Sequence, residues 1–124
     1  MKIRRFEDIP AWQEARILTK AIYTISAGGQ WAKDYALRDQ IRRASISVMS
    51  NIAEGFERRA DNDYARFLAM AKASASEVKS QLYIALDQGY IDEIRFRELY
   101  ERCQKVARFL GSFTRSLKKR TRDA

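Results

Sequence analysis

The sequence predicts an all-α fold: an antiparallel, up-down-up-down bundle of four helices, assembling as a homo-oligomer. Three observations carry the bundle. Proline occurs once, at Pro10, and glycine five times in 124 residues, too few breakers for the many turns of an all-β chain. Apolar residues recur at three- and four-residue steps in long segments. The connections between those segments are short, and short connections make consecutive helices run antiparallel. The length suits one domain over residues 1–124 with a single core, its basic tail from about Lys118 expected to fray.

The first helix is expected from about Ile9 to Ala27. Asp8 suits its N-cap, and Pro10 its first turn, where a missing N–H costs nothing. Trp12, Ala15, Leu18, Ile22 and Ile25 make the apolar face, and Gly28-Gly29 stops it. The second is expected from about Lys33 to Phe56, with Leu37, Ile41, Ala44, Val48 and Ile52 inward, broadened by Ser45, Met49 and Phe56, and with Gly55 marking its end. The third starts near Asp61 or Asn62, either a suitable N-cap. Tyr64, Phe67 or Leu68, Ala71, Ala75, Val78, Leu82 and Ala85 follow at helical steps, and Gly89 closes it. The fourth follows Asp92, another good N-cap. Its Leu99, Cys103, Val106, Leu110, Phe113 and Leu117 form a heptad seam, which makes Cys103 a small core residue.

The composition excludes most chemistry. There is no histidine, which removes Ser-His and Cys-His nucleophile pairs and the Glu-x-x-His ligands of a di-iron bundle. A single cysteine without histidine leaves no ordinary structural zinc site, and no phosphate-binding glycine loop is present. Most acidic residues sit within two positions of an Arg or Lys, as Glu7 does in Arg4-Arg5-Phe6-Glu7-Asp8, which reads as solvated pairing. No enzymatic activity, cofactor, metal or small-molecule substrate is expected. The apolar runs fall far short of the roughly 20 residues that span a bilayer, and the basic N-terminus lacks the apolar stretch of a secretory signal. With a lone cysteine, these features lead to the expectation of a cytoplasmic protein without membrane contact.

Charge is the unusual bulk property: 24 Lys and Arg against 16 Asp and Glu, a net +8. Such a balance favours polyanionic or acidic partners, or serves solubility alone. The topology sharpens it. The start of the first helix, the end of the second and the end of the fourth share one end of the bundle. Lys2, Arg4 and Arg5, then Arg58 and Arg59, then Arg115, Lys118, Lys119, Arg120 and Arg122 meet there, ten of the 24 basic residues. One reading is phosphate-backbone contact without base readout. The other is that Lys and Arg near a helix C-terminus complement its dipole. Small residues (Ala69, Ala73, Ser76, Ser80) flank the third helix, and Ser47, Asn51, Glu54 and Arg58 line a polar flank of the second. Trp31, Phe96, Tyr100 and Phe109 lie outside the main stripes and need cover, which suggests self-association.

Several blocks together carry a resemblance: Phe6-Glu7-Asp8-Ile9-Pro10-Ala11-Trp12-Gln13, Gln40-Ile41-Arg42-Arg43-Ala44, Asn51-Ile52-Ala53-Glu54-Gly55, Arg66-Phe67-Leu68-Ala69-Met70-Ala71 and Ser74-Ala75-Ser76-Glu77-Val78. The chain resembles, over about residues 6–115, the bacterial four-helix bundle family that includes proteins encoded in intervening sequences of large-subunit ribosomal RNA genes. It is also similar to the accessory variability determinants of diversity-generating retroelements. The resemblance implies a homopentamer around a central channel and, for the retroelement branch, nucleic-acid binding and a reverse-transcriptase partner. It implies no ribosomal role. The segment Ala27–Lys33 departs from the Phe-Pro that members often carry there. The motif residues Gln40, Arg42, Arg43, Asn51, Glu54 and Gly55 read as structural or interface positions; Asn51 and Glu54, with Arg43 and Ser47 extending their flank, read first as a polar network holding helix ends or a subunit contact, with direct ligand or partner binding as the other reading. The expected function is a non-enzymatic, basic, oligomeric scaffold for nucleic acid or a nucleic-acid-processing protein. The alternative is a structural homo-oligomer with an unknown protein partner and no nucleic-acid role.

Overall fold

The computed structural model describes residues 2–58 and 61–123, with Asp61 and residues 120–123 described by their backbone alone. Four helices form: α1 (Pro10–Ser26), α2 (Tyr35–Arg58), α3 (Asp61–Asp87) and α4 (Glu93–Asp123), with short 3-10 turns at Phe6–Asp8 and Trp31–Lys33. The fourth helix thus continues past Lys118.

Pro10 sits at the start of α1, as its fixed φ favours. Asp8 does not cap that helix. Its carboxylate turns backwards to accept the N–H groups of Arg4 and Arg5 at 3.0 and 3.2 Å and closes the preceding 3-10 turn. The Arg4 N–H, ahead of the other contacts, holds the Asp8 carboxyl below its ordinary range. Buried Ile9 takes the N-cap place instead and offers no side-chain acceptor. Asp34 caps α2, taking the Leu37 N–H at 3.1 Å, and Asp92 caps α4, taking the Arg95 N–H at 2.8 Å. Asp61 and Asn62 lie inside the first turn of α3, so the N-cap position precedes both, outside the described residues. Gly29 and Gly89 adopt φ of +61° and +75°, the left-handed conformation that ends a helix without a Cβ clash.

Gly55 is not a terminator. The second helix runs three residues beyond it to Arg58, and Gly55 is buried. A Cβ there would lie 2.9 Å from the Phe67 Cβ and 3.1 Å from Tyr64 Cδ1. The residue is glycine because α3 passes too close for a side chain.

The helices pack in a ring, α1 on α2, α2 on α3, α3 on α4 and α4 on α1. The cross-contacts fix the antiparallel order. Thr19 meets Ser45 and Ser26 meets Arg42; Ser47 meets Ser74 and Arg58 meets Asp63; Tyr64 meets Phe113 and Tyr83 meets Phe96. The core divides along the axis. One half gathers Ala11, Ala15, Val48, Ile52, Tyr64, Leu68, Val106 and Leu110. The other gathers Leu18, Ile22, Ile41, Val78, Leu82, Leu99 and Cys103. The predicted stripes of α2, α3 and α4 are buried, except that Met49 and Phe113 are half-covered. On α1 the stripe is rotated: Ala11 and Ser26 are buried, Trp12 and Ile25 only partly.

Two of the residues expected to need outside cover find it within the chain. Trp31 is fully buried in the α1–α2 connection, stacked on Tyr90 at 6.0 Å, and Phe96 packs against Tyr83 at 4.8 Å. The large exposed apolar residues are others, among them Ile17, Tyr35, Ile46, Met70, Ile84 and Ile94.

Candidate functional site

Basic side chains from three segments stand at the end of the bundle where α1 begins, α2 ends and α4 ends, with Glu7, Asp8, Glu54, Glu57 and Asp63 at the same end. Phe6 packs edge-on to Trp12 at 5.2 Å, which ties the segment carrying Arg4 and Arg5 to α1. Arg5 lies 3.7 Å from Asp8, an exposed pair worth little. Arg58 is occupied: it pairs with Glu54 at 3.2 Å and Asp63 at 3.9 Å, and its guanidinium lies 5.0 Å over the Phe67 ring. Lys2, Arg4, Arg115, Lys118 and Lys119 have no ion-pair partner among the described residues, and all five are exposed. Leu117 is buried, and Lys118 and Lys119 directly after it are exposed. Arg59 lies outside the described residues, as do the side chains of Arg120 and Arg122.

The motif residues separate into different jobs. Arg42 reaches the end of α1, donating from Nε to Ser26 Oγ at 2.9 Å and stacking over Tyr23 at 4.5 Å. Ser26 in turn donates to the Ile22 carbonyl, so Arg42 closes a helix C-terminus. Asn51 donates to the carbonyl and hydroxyl of Ser47 at 2.9 and 3.0 Å, and Ser74 of α3 donates to that same hydroxyl at 3.0 Å. This chain of polar contacts joins α2 to α3. Glu54 stands apart from it and, among the described residues, pairs with Arg58 alone. Gln40 and Arg43 are exposed and line an open depression of about 320 Å³ on α2 with Tyr35, Ala36 and Asp39.

Two features had no signal in the local sequence, and a third, the burial of Cys103, follows from its place in the seam of α4. Glu14 is largely covered and bridges Arg102 at 3.2 Å and Lys105 at 2.9 Å, joining α1 to α4. Asp34 caps α2 through one oxygen while the other accepts the Tyr90 hydroxyl at 2.9 Å. Cys103 is fully buried, and burial pushes its thiol up to about 12, far from a nucleophile's range. No three acidic or thiol groups among the described residues converge to hold a metal ion, and no described helix is long and apolar enough to cross a membrane.

The fold and motif blocks meet in one comparison: the family model described as 23S rRNA-intervening sequence protein matches residues 7–112. The chain belongs to that family. Among solved structures, it is similar to a protein with unknown function from the S23 ribosomal protein family of Bacteroides thetaiotaomicron. That likeness has a TM-score of 0.77 at 20% identity and covers 84% of this chain and 97% of the other, which supports the intervening-sequence fold alone. No curated protein matches the chain. The matched span takes in every motif residue from Gln40 to Gly55 and stops just short of Arg115 and the basic end of α4.

Proposed function

We propose that the chain is a non-enzymatic, oligomeric module of a reducing, cytoplasmic setting. It holds nucleic acid, or a protein that works on nucleic acid, by phosphate contact at the cationic end of the bundle. One observation carries the reading: Lys2, Arg4, Arg115, Lys118 and Lys119 lie at one end with no ion-pair partner among the described residues. Cations held only as dipole complements or solubilising charge need not come together from two termini of the chain. A reverse transcriptase is the partner class that the retroelement likeness suggests.

The test is a titration of labelled single-stranded and duplex DNA and RNA at two salt concentrations. Neutralising phosphates releases counterions, so affinity should fall steeply with salt, with a slope of about −0.7 per contact for single strands. Lys118→Glu with Lys119→Glu should remove most of the binding at low salt. Absence of any binding by the unaltered protein at low salt overturns the proposal.

A second reading, a structural homo-oligomer that binds another protein, is favoured by Tyr35, Ile46, Met70 and Ile84, which leave apolar surface exposed on α2 and α3. The family resemblance makes the expected assembly a pentamer, and mass measurement in solution tests it. Recovery of a protein partner together with no affinity for nucleic acid would favour this reading over the first.

A further inference from the structure

We infer that the outer face of α3 and α4 is a track for single-stranded nucleic acid, leading from the cationic end to a tyrosine pair, Tyr83 exposed and Tyr100 half-buried. This inference rests on the nucleic-acid reading above and assigns it a second surface and a strand state.

On α3, Ala69, Lys72, Ser76, Lys79 and Tyr83 recur at alternating three- and four-residue steps, so they share one stripe. On α4, Tyr100, Ala107, Gly111 and Lys118 share another. All nine are exposed or half-exposed. The stripes meet at their far end, where the Tyr83 and Tyr100 rings lie 5.9 Å apart and Lys79 Nζ lies 5.5 Å over the Tyr100 ring. Arg115 lies back along the ridge of α4, within 3.4 Å of where a Cβ on Gly111 would sit.

The charge along these two stripes has one sign, whereas Glu77 and Glu101 lie exposed elsewhere on the same helices. Neither stripe carries an Asp or Glu between the tyrosines and Lys118, while Lys72, Lys79 and Lys118 lie on them. The neighbouring seams differ. On the α1–α4 seam Arg102 and Lys105 are answered by Glu14, and on the α2–α3 seam Arg58 is answered by Glu54 and Asp63. A face of unanswered cations over a floor of Ala, Ser and Gly lets a phosphate backbone approach closely. From Tyr100 to Lys118 the helix rises about 27 Å, long enough for the roughly 4 or more nucleotides that small stacking modules take. The Tyr83 ring is half exposed, and a ring can stack only on a base that is not already paired. This selects single strands over duplex.

The experiment measures anisotropy of a labelled oligothymidylate, about 12 nucleotides long, and of a duplex of equal length. Lys72→Glu with Ser76→Glu places acid on the track. Lys20→Glu with Thr24→Glu makes the same charge change at exposed positions of α1. The track pair should weaken single-strand binding tenfold or more, and the α1 pair much less. Tyr83→Ala should cost about tenfold on the single strand and little on the duplex, with Tyr83→Phe near wild type. Thermal melting of each variant separates lost binding from lost fold, and Tyr83→Phe keeps the ring packing on Phe96. Equal weakening by the two charge pairs overturns the track, since net charge alone would then explain binding. So does an unaffected track pair beside a Lys118→Glu, Lys119→Glu variant that has lost binding; in that case the cationic-end reading stands. If the unaltered protein binds neither probe at low salt, both readings fall.

Discussion

The two ends of the bundle are closed in different ways. At the end holding the α1–α2 and α3–α4 connections, polar groups join the elements beside the packed rings of Trp31, Tyr90, Tyr83 and Phe96. Asp34 caps α2 and takes the Tyr90 hydroxyl, Tyr90 stacks on Trp31, and Arg42 ties α2 to the end of α1. Acidic and basic residues are mixed there: Asp34, Asp39, Asp92 and Glu93 beside Lys33, Arg38, Arg95 and Arg97. At the opposite end, rings do the joining. Tyr64 packs edge-on against Phe56 at 6.2 Å and Phe113 at 5.4 Å, and α2 comes close enough to α3 that Gly55 has no room for a side chain. Around that apolar closure Lys2, Arg4, Arg115, Lys118 and Lys119 have no ion-pair partner among the described residues, while Arg5 and Arg58 are paired with Asp8, Glu54 and Asp63. An end held by packing has its surface charges free for other work, whereas an end held by hydrogen bonds uses its polar groups internally.

The strongest way to break this contrast is to crowd the packed end. Gly55→Leu must force α2 and α3 apart, because even its Cβ would fall 2.9 Å from the Phe67 Cβ. Overpacking costs about 1–3 kcal/mol, occasionally more, and the gain in helix propensity over glycine recovers at most about 1. A clear net loss in chemical denaturation is expected. No loss would mean that the close approach is not what holds this end.

The hydrogen-bonded end should be hurt less. Asp34→Ala removes an N-cap, worth about 1 kcal/mol, together with the acceptor of Tyr90. It should also change the response to alkali. The bond donated to Asp34 holds the Tyr90 hydroxyl above its ordinary value of 10.0, so the folded state keeps that proton more tightly than the unfolded state. The stabilisation is whole below about pH 10 and is lost as pH rises through the raised value. Asp34→Ala should therefore flatten this alkaline loss in denaturation curves measured from neutral pH upwards. An unchanged slope would remove the Asp34–Tyr90 bond from the account of this end.

The sequence made the helices legible because helical periodicity is local. Four apolar stripes, the positive-φ turns at Gly29 and Gly89 and the Asp92 cap all depend on neighbours within a few residues. What it did not disclose depends on partners brought together by topology. Gly55 looked like a helix end because glycine often is one; its reason lies twelve residues on, at Phe67. Asp34 and Glu14 act through Tyr90 and through Arg102 and Lys105, more than fifty residues away. Asp8 stood in the right place for a cap, but the 3-10 turn before it presented two N–H groups first. Trp31 looked exposed because no helical stripe contained it; a stack across two connections covers it. The order of the helices was legible because short connections fix it. The placing of Lys79 over the Tyr100 ring was not, because it needed the register between two helices.

The smallest effect expected is the most informative about the motif on α2. Glu54 is half exposed and pairs with Arg58 four residues on, the geometry of a surface helix pair. Removing it by Glu54→Ala should change the stability of the isolated bundle by less than about 0.5 kcal/mol. The network through Ser47, Asn51 and Ser74, which does join α2 to α3, leaves Glu54 out. On the homo-oligomer reading proposed above, Glu54 serves a subunit contact, on the same flank as the exposed Gln40 and Arg43. Light scattering of Glu54→Ala should therefore show a smaller assembly than the unaltered protein, with melting of the bundle itself nearly unchanged. A large fall in melting at constant mass would return Glu54 to the packed end as one of its internal supports, and the contrast between the two ends would then rest on the rings alone.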